Sequence, residues 1–208
     1  MTLRVGIVED VEELRSEFAQ LVATADDMMC VGAFPNAEAA LAALPALSAD
    51  AVLMDISLPG GMNGIECVRR LKRQAPGVHV VMVTAFDDAD SIFESLKAGA
   101  TGYVLKRAPV SQILSAVREA CSGGAPMSGS IARQVVQFFN RRAQAREVDA
   151  LTERELAVLT ALSKGQQYKE IADTLAISIN TVRKHIKSIY EKLQVNSRGD
   201  AVKKLGGS

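Results

Sequence analysis

Apolar positions along this chain follow one rhythm in its first part and another in its last third. At the start, short apolar runs alternate with segments whose apolar residues recur every three or four places. Leu3–Val8 is brief, β-branched and apolar, and it predicts a strand; Leu14, Phe18, Leu21 and Val22 follow at helical spacing. Residues 30–34 predict a second strand, and Asn36 is placed to cap an alanine- and leucine-rich helix ending near Leu47. Residues 51–56 are apolar apart from Asp55, and Ile65, Val68 and Leu71 mark a third helix. Residues 78–84 read as a buried strand, and Ile92, Phe93 and Leu96 as a helix closed by Gly99. Residues 103–105 form a fifth strand, and Pro109 suits the first turn of a helix carrying Ile113, Leu114 and Val117. Five strand-then-helix units predict an α/β fold, a parallel sheet with helices on both faces and right-handed crossovers. Ligands of such sheets sit beyond the carboxyl ends of the strands.

Glycine, serine and proline then punctuate residues 122–130. Ile131, Val135, Phe138 and Phe139 make an apolar stripe at helical spacing, which predicts a linker helix that packs on something, and residues 141–146 are polar and expected to be exposed. From Leu151 onward only helical patterns remain. The reading is therefore of three parts: a first domain over residues 1–122, a linker over 123–147, and a small all-α domain over 148–208.

Charge sharpens the division. The 24 basic and 24 acidic residues cancel, but residues 1–126 hold 10 basic and 16 acidic side chains, and residues 127–208 hold 14 and 8. An acidic half joined to a basic half suggests different partners, with the basic half the candidate for nucleic acid. Cys30, Cys67 and Cys121 have neither metal-ligand nor redox spacing and read as small core residues. No apolar run approaches the roughly 20 residues that a membrane helix needs, and the run ending at Val8 is too short for a signal peptide core. The expectation is a cytoplasmic protein without a membrane partner.

The chemistry lies at the strand ends. Glu9 and Asp10 follow the first strand and Asp55 lies near the end of the third; parallel packing brings these ends together. Three carboxylates gathered there repel one another unless a cation or protons relieve them, and Mg²⁺ with oxygen ligands suits the set. Thr84 closes the fourth strand and Lys106 the fifth, offering a hydroxyl and an ammonium to an anion. Together these groups suit phosphoryl transfer to a carboxylate, with Asp55 as nucleophile.

In the last part, Thr152 can cap a helix with Glu155 at the capping-box position. Leu156, Leu159 and Leu162 are expected on its inner face, with Gly165 after it. Residues 169–175 form a short helix, Ala176, Ile177 and Ser178 a tight turn, and Ser178 the cap of the next helix. On that helix Val182, Ile186, Ile189 and Leu193 share one face. Asn180, Arg183, Lys184 and Lys187 share the other, near its amino end, which suits reading of the DNA major groove and equally suits a plain solvated face.

Residues 1–122 resemble a response-regulator receiver domain. The matching features are Glu9 and Asp10 after Val8, Asp55 with Pro59 beyond it, Thr84 with Ala85, and Tyr103 with Lys106. The resemblance implies a flavodoxin-like five-stranded fold, phosphorylation of Asp55 by a histidine kinase, and Mg²⁺ bound by Asp10, Asp55 and the Ser57 carbonyl, with Glu9 acting through water. It implies Thr84 and Tyr103 as a switch pair; plain packing is the other reading of Tyr103. The acid pair is Glu-Asp where the family more often has Asp-Asp, and the loop after Asp55 carries one extra residue between Pro59 and Gly64.

The C-terminal pattern, from Leu151 and Thr152 through Ile171 and Ala172 to Thr181, Val182, Arg183 and Leu193, resembles the LuxR-type helix-turn-helix. With the receiver, the chain is similar to the NarL/FixJ family of two-component response regulators. That implies base or phosphate contacts to DNA from Thr181, Arg183, Lys184 and Lys187, with Lys169 near the backbone and Asn180 added by the face pattern, a homodimer on phosphorylation, RNA polymerase as a further partner, and transcription as the controlled process. Tyr168 stands where the family commonly has Asn. The expected chain is no enzyme beyond self-phosphorylation from small donors and self-dephosphorylation. The alternative is an adaptor whose helical domain binds protein instead of DNA. A phosphatase would need a second acid placed as a general base beside Asp55, and the sequence offers none.

Overall fold

The computed structural model describes residues 2–206, apart from the side chains of residues 141–147 and 149. The exposure expected of residues 141–146 lies outside the described side chains. Two compact units divide the chain, Met1–Val135 and Val136–Ser208.

The first unit is a five-stranded parallel sheet in the order β2-β1-β3-β4-β5. Its strands are β1 (Leu3–Val8), β2 (Met28–Phe34), β3 (Ala51–Met54), β4 (His79–Thr84) and β5 (Gly102–Leu105). Its helices are α1 (Glu12–Ala23), α2 (Ala37–Ala43), α3 (Gly64–Gln74), α4 (Ala89–Ala98) and α5 (Val110–Cys121). This is the flavodoxin-like order. Side chains of a strand alternate between faces, so one apolar run serves two cores. Val52, Met54, Val80 and Met82 pack under α2, α3 and α4. Ala51, Leu53, Val81 and Val83 pack under α1 and α5 with Phe18, Val22, Ile113 and Val117.

Short polar residues set the helix starts. Asn36, Asn63 and Asp88 each accept a hydrogen bond from the backbone N–H three residues on, at 2.9, 2.9 and 2.8 Å. Gly99 ends α4 in the left-handed region at φ 109°. Several boundaries differ from the sequence reading, two of them for a plain local reason. Helix α2 stops at Ala43, because Pro45 has no N–H to continue the ladder. Strand β2 begins at Met28, because Met28 and Met29 pair with Leu3 and Arg4.

Helix α6 (Gly129–Asp149) begins within the first unit. Its Ile131 is fully buried in the core cluster that also holds Tyr103 and Leu105 of β5, with Met127 and Val135 packed against the same cluster. The compact unit therefore runs past residue 122.

The second unit contains α7 (Glu153–Ser163), α8 (Tyr168–Leu175), α9 (Ile179–Leu193) and α10 (Arg198–Gly206). Val158, Leu159, Leu162, Ile171, Val182, Ile186, Ile189, Leu193 and Ala201 fill its core. Leu156 corrects the sequence reading: it is exposed, and Val158 takes the inward place. The capping box turns Glu155 inward, and its neighbour, about 100° further round the helix, faces out. Ala176 adopts φ 53° between α8 and α9 and makes the tight turn.

Candidate functional site

Parallel pairing of β1, β3, β4 and β5 brings their carboxyl ends to one rim. Glu9 follows β1, Asp55 follows β3, Thr84 ends β4 and Lys106 follows β5. Carboxylate oxygens of Glu9, Asp10 and Asp55 lie within 4.8 Å of one another. Glu9 is 1% exposed and Asp55 3%, whereas Asp10 opens to solvent. The Lys106 ammonium donates to Asp55 Oδ2 at 2.8 Å and sits 2.7 Å from Glu9 Oε2. Burial pushes the Glu9 carboxyl above its ordinary value, although Lys106 pulls the other way. Burial alone would lower Lys106, but the Asp55 and Glu9 carboxylates outweigh it and hold the ammonium above its ordinary value. Three carboxylates against one ammonium leave an all-oxygen donor set with excess negative charge, which fits a hard divalent cation.

Other expected residues fall around this pocket. Thr84 is fully buried, and its Oγ1 accepts from the Phe86 N–H at 3.4 Å. Ser57 and Ala85 are exposed on the turns after β3 and β4. Tyr103 is also wholly buried, and its hydroxyl donates to the Phe86 carbonyl at 3.0 Å.

Two contributors were not singled out from the sequence. Arg15 on α1 donates from Nη1 to the carbonyls of Glu9 at 2.9 Å and Asp10 at 3.0 Å, pinning the backbone that carries both acids. Its targets are main-chain atoms, so no pairing of residue types announces it. Gly64 opens α3, and a Cβ there would lie 1.8 Å from the Asp55 carbonyl oxygen. Only glycine lets α3 start so close to Asp55.

In the second unit, Asn180, Arg183, Lys184 and Lys187 are exposed on one side of α9, opposite the buried Val182, Ile186 and Ile189. Lys169 is exposed on α8. Thr181 is half-buried, and its hydroxyl lies 2.8 Å from that of Ser178, the cap of α9. The exposed Tyr168 helps to line, with Arg183, Lys187, Tyr190 and Asn196, a cleft of about 620 Å³ beside this basic face.

Residues 5–118 match the family model for the response regulator receiver domain, and residues 149–205 match that for bacterial regulatory proteins of the luxR family. The chain belongs to the response regulator family. It is 32% identical over 202 residues to the response regulator protein VraR of Staphylococcus aureus (strain NCTC 8325 / PS 47), covering 97% of this chain and 95% of that protein. Among solved structures it is similar to the response regulator ChrA of a heme-sensing two-component system, with 29% identity, a TM-score of 0.55, and 99% and 96% of the two chains covered. The response regulator RcsB in a complex with DNA shares the fold at 23% identity and a TM-score of 0.62, over 100% of this chain and 99% of that one. This response regulator thus joins a receiver to a LuxR-type DNA-binding domain and regulates transcription. Among the described residues, no helix is long and apolar enough to cross a membrane.

Proposed function

We propose that Asp55 of this response regulator accepts a phosphoryl group from a histidine kinase in the cytoplasm, and that the modified chain dimerises and binds a specific DNA sequence. The observation that carries this is the Lys106 ammonium, held 2.8 Å from Asp55 and 2.7 Å from Glu9 in a pocket where three carboxylates converge. Glu9, Asp10, Asp55 and the Ser57 carbonyl are the proposed Mg²⁺ ligands, Glu9 acting through water. Bound there, Mg²⁺ would neutralise the carboxylates and attract phosphoryl oxygens.

The side chains supply the rest. An Asp55 carboxylate oxygen attacks phosphorus; its new O–P bond forms as the P–N bond of the kinase phosphohistidine breaks, and the imidazole leaves with the bonding pair. Lys106 exchanges a carboxylate partner for a phosphoryl oxygen, and the Thr84 hydroxyl donates to another. The chain itself turns over no external substrate; it takes phosphate from small donors and loses it by self-hydrolysis.

On the DNA side, Arg183, Lys184 and Asn180 are proposed to read base edges in the major groove, with Thr181, Lys187 and Lys169 on the phosphates. A dimer sets two α9 helices about one DNA turn apart. RNA polymerase is the proposed partner of the bound dimer. Incubation with labelled acetyl phosphate and Mg²⁺ tests the central step. Hydroxylamine-labile label should appear on the native chain and vanish in Asp55→Asn; label persisting in that variant would overturn the assignment.

A further inference from the structure

Residues 122–130 read from the sequence as a break between domains, yet part of this stretch is built into the receiver. The Tyr103 N–H donates to the Pro126 carbonyl at 2.8 Å, and Tyr103 forms a parallel bridge with Met127 on the outer edge of β5. Pro126 is buried. A Cβ on Gly102 would lie 2.5 Å from Pro126 Cγ and 2.9 Å from its carbonyl oxygen, so the close approach depends on that glycine. Ser128 Oγ then accepts from the Ile131 N–H at 3.3 Å, and the Ile131 side chain is sunk in the same core as Tyr103.

Tyr103 therefore touches two things at once. Its hydroxyl holds the loop after Thr84 through the Phe86 carbonyl, and its main chain holds the start of the linker. We infer that residues 126–131 are a positioning strap for Tyr103: Gly102, Pro126 and Ile131 keep the β5 edge closed and the ring inward, and movement of Tyr103 is passed directly to the first turn of α6. The inference rests on the reading of Asp55 as phosphoacceptor and adds the route by which its state leaves the pocket.

The strap has a thermodynamic consequence. β5 is the last strand of the sheet, and its outward backbone groups need a partner or water. If the strap leaves, the Tyr103 N–H loses its acceptor and the seat of Ile131 becomes a hole. Strap seating and inward Tyr103 thus favour one another, and by linkage whatever the pocket binds in favour of one favours the other by the same factor.

The test uses the full chain with Mg²⁺ and beryllium fluoride as the phosphoryl mimic, followed by amide exchange in NMR and by the mimic's dissociation constant. In the native chain the mimic should raise protection at Tyr103 and at residues 127–132 together. Gly102→Ala and Ile131→Ala should lower Tyr103 protection at least tenfold and weaken binding of the mimic at least threefold; Ile131→Val, which nearly fills the seat, should restore both. If Tyr103 protection falls while binding of the mimic is unchanged, the strap is only structural and the inference is overturned. It is equally overturned if protection rises at Tyr103 but not at residues 127–132. If the native chain takes neither the mimic nor acetyl phosphate, the phosphoacceptor reading fails and the strap's role fails with it.

Discussion

The Lys192 ammonium meets the Glu155 carboxylate at 2.7 Å, tying the last turn of α9 to the first turn of α7. Glu155 also accepts from the Thr152 N–H at 2.7 Å and from the Ser188 hydroxyl at 2.6 Å. A capping-box residue thereby becomes the buried polar centre of the DNA-binding unit, and it fixes the helix that carries Arg183 and Lys187. Burial by itself would raise this carboxyl, but bonds from Lys192, Ser188 and Thr152 outweigh it and hold it at about 2, against an ordinary 4.5.

A depressed carboxyl stabilises the fold when ionised, so its contribution is complete above pH 4.5 and is lost as the pH falls from there toward 2. At about 1.4 kcal/mol per pH unit, the full difference is on the order of 3 kcal/mol, and more than half is gone by pH 3. Exchange of α9 amides, corrected for intrinsic rates, should show this loss between pH 6 and pH 3 in the native chain. Glu155→Gln should flatten the pH dependence while lowering stability at pH 6. An equal pH dependence in that variant would show that other carboxylates carry it.

How much of this was legible beforehand depends on the type of interaction. The strands were readable because β3 and β4 are apolar on both faces, and the helix starts because Asn36, Thr152 and Ser178 announce themselves locally. The acid pocket was legible because a parallel sheet brings the ends of alternate units to one rim, so Glu9, Asp55, Thr84 and Lys106 converge once the strands are known. The contacts of Glu155 with Lys192 and of Tyr103 with Pro126 were not, since each joins distant segments whose spacing obeys no period. Leu156 was misplaced for a related reason: Glu155, held inward by distant donors, takes the place on the first turn beside Leu159 and Leu162, and the next residue, Leu156, faces out.

Lys106 separates two effects at the acid pocket. Its ammonium occupies carboxylate oxygens that a metal would also use. Lys106→Met removes this competing cation and leaves the carboxylates with uncompensated charge, so Mg²⁺ should bind roughly tenfold more tightly, about 1.4 kcal/mol. Uptake of phosphate should nonetheless fall on the order of a hundredfold, because the phosphoryl oxygens lose a positioned donor. Calorimetry with Mg²⁺ and labelling from acetyl phosphate check the two arms; weaker Mg²⁺ binding in the variant would contradict the competition.

Arg15 acts on the same pocket from behind. It bonds only the Glu9 and Asp10 carbonyls in that loop, leaving both carboxylates free for other partners. Groups that orient metal ligands in this way are typically worth about 10–100-fold in metal affinity. Arg15→Ala should weaken Mg²⁺ binding by about the lower of those factors. Arg15→Lys reaches one carbonyl in place of two and should fall between. Mg²⁺ titration followed by the Asp10 amide resonance measures this, and unchanged affinity in Arg15→Ala would show that the loop holds its shape without the guanidinium.

Arg183 and Lys187 both stand on the exposed face of α9, but their surroundings divide their roles. Lys187 lies 3.9 Å from Glu191 with its side chain 81% exposed, a pairing too open and too long to hold it back from DNA phosphate. Arg183 is one turn nearer the amino end of the helix, where side chains enter the major groove. Lys187→Ala should therefore weaken binding to all sequences alike and reduce the slope of log affinity against log salt by about 0.9, the value of one phosphate contact. Arg183→Ala should cost about 1–3 kcal/mol at the preferred site and relax base preference at one position. Affinity measured at two salt concentrations on preferred and scrambled duplexes resolves the pair. Identical losses on both duplexes for Arg183→Ala would move it from the bases to the backbone, and the reading of the α9 face would have to turn toward Asn180 and Lys184.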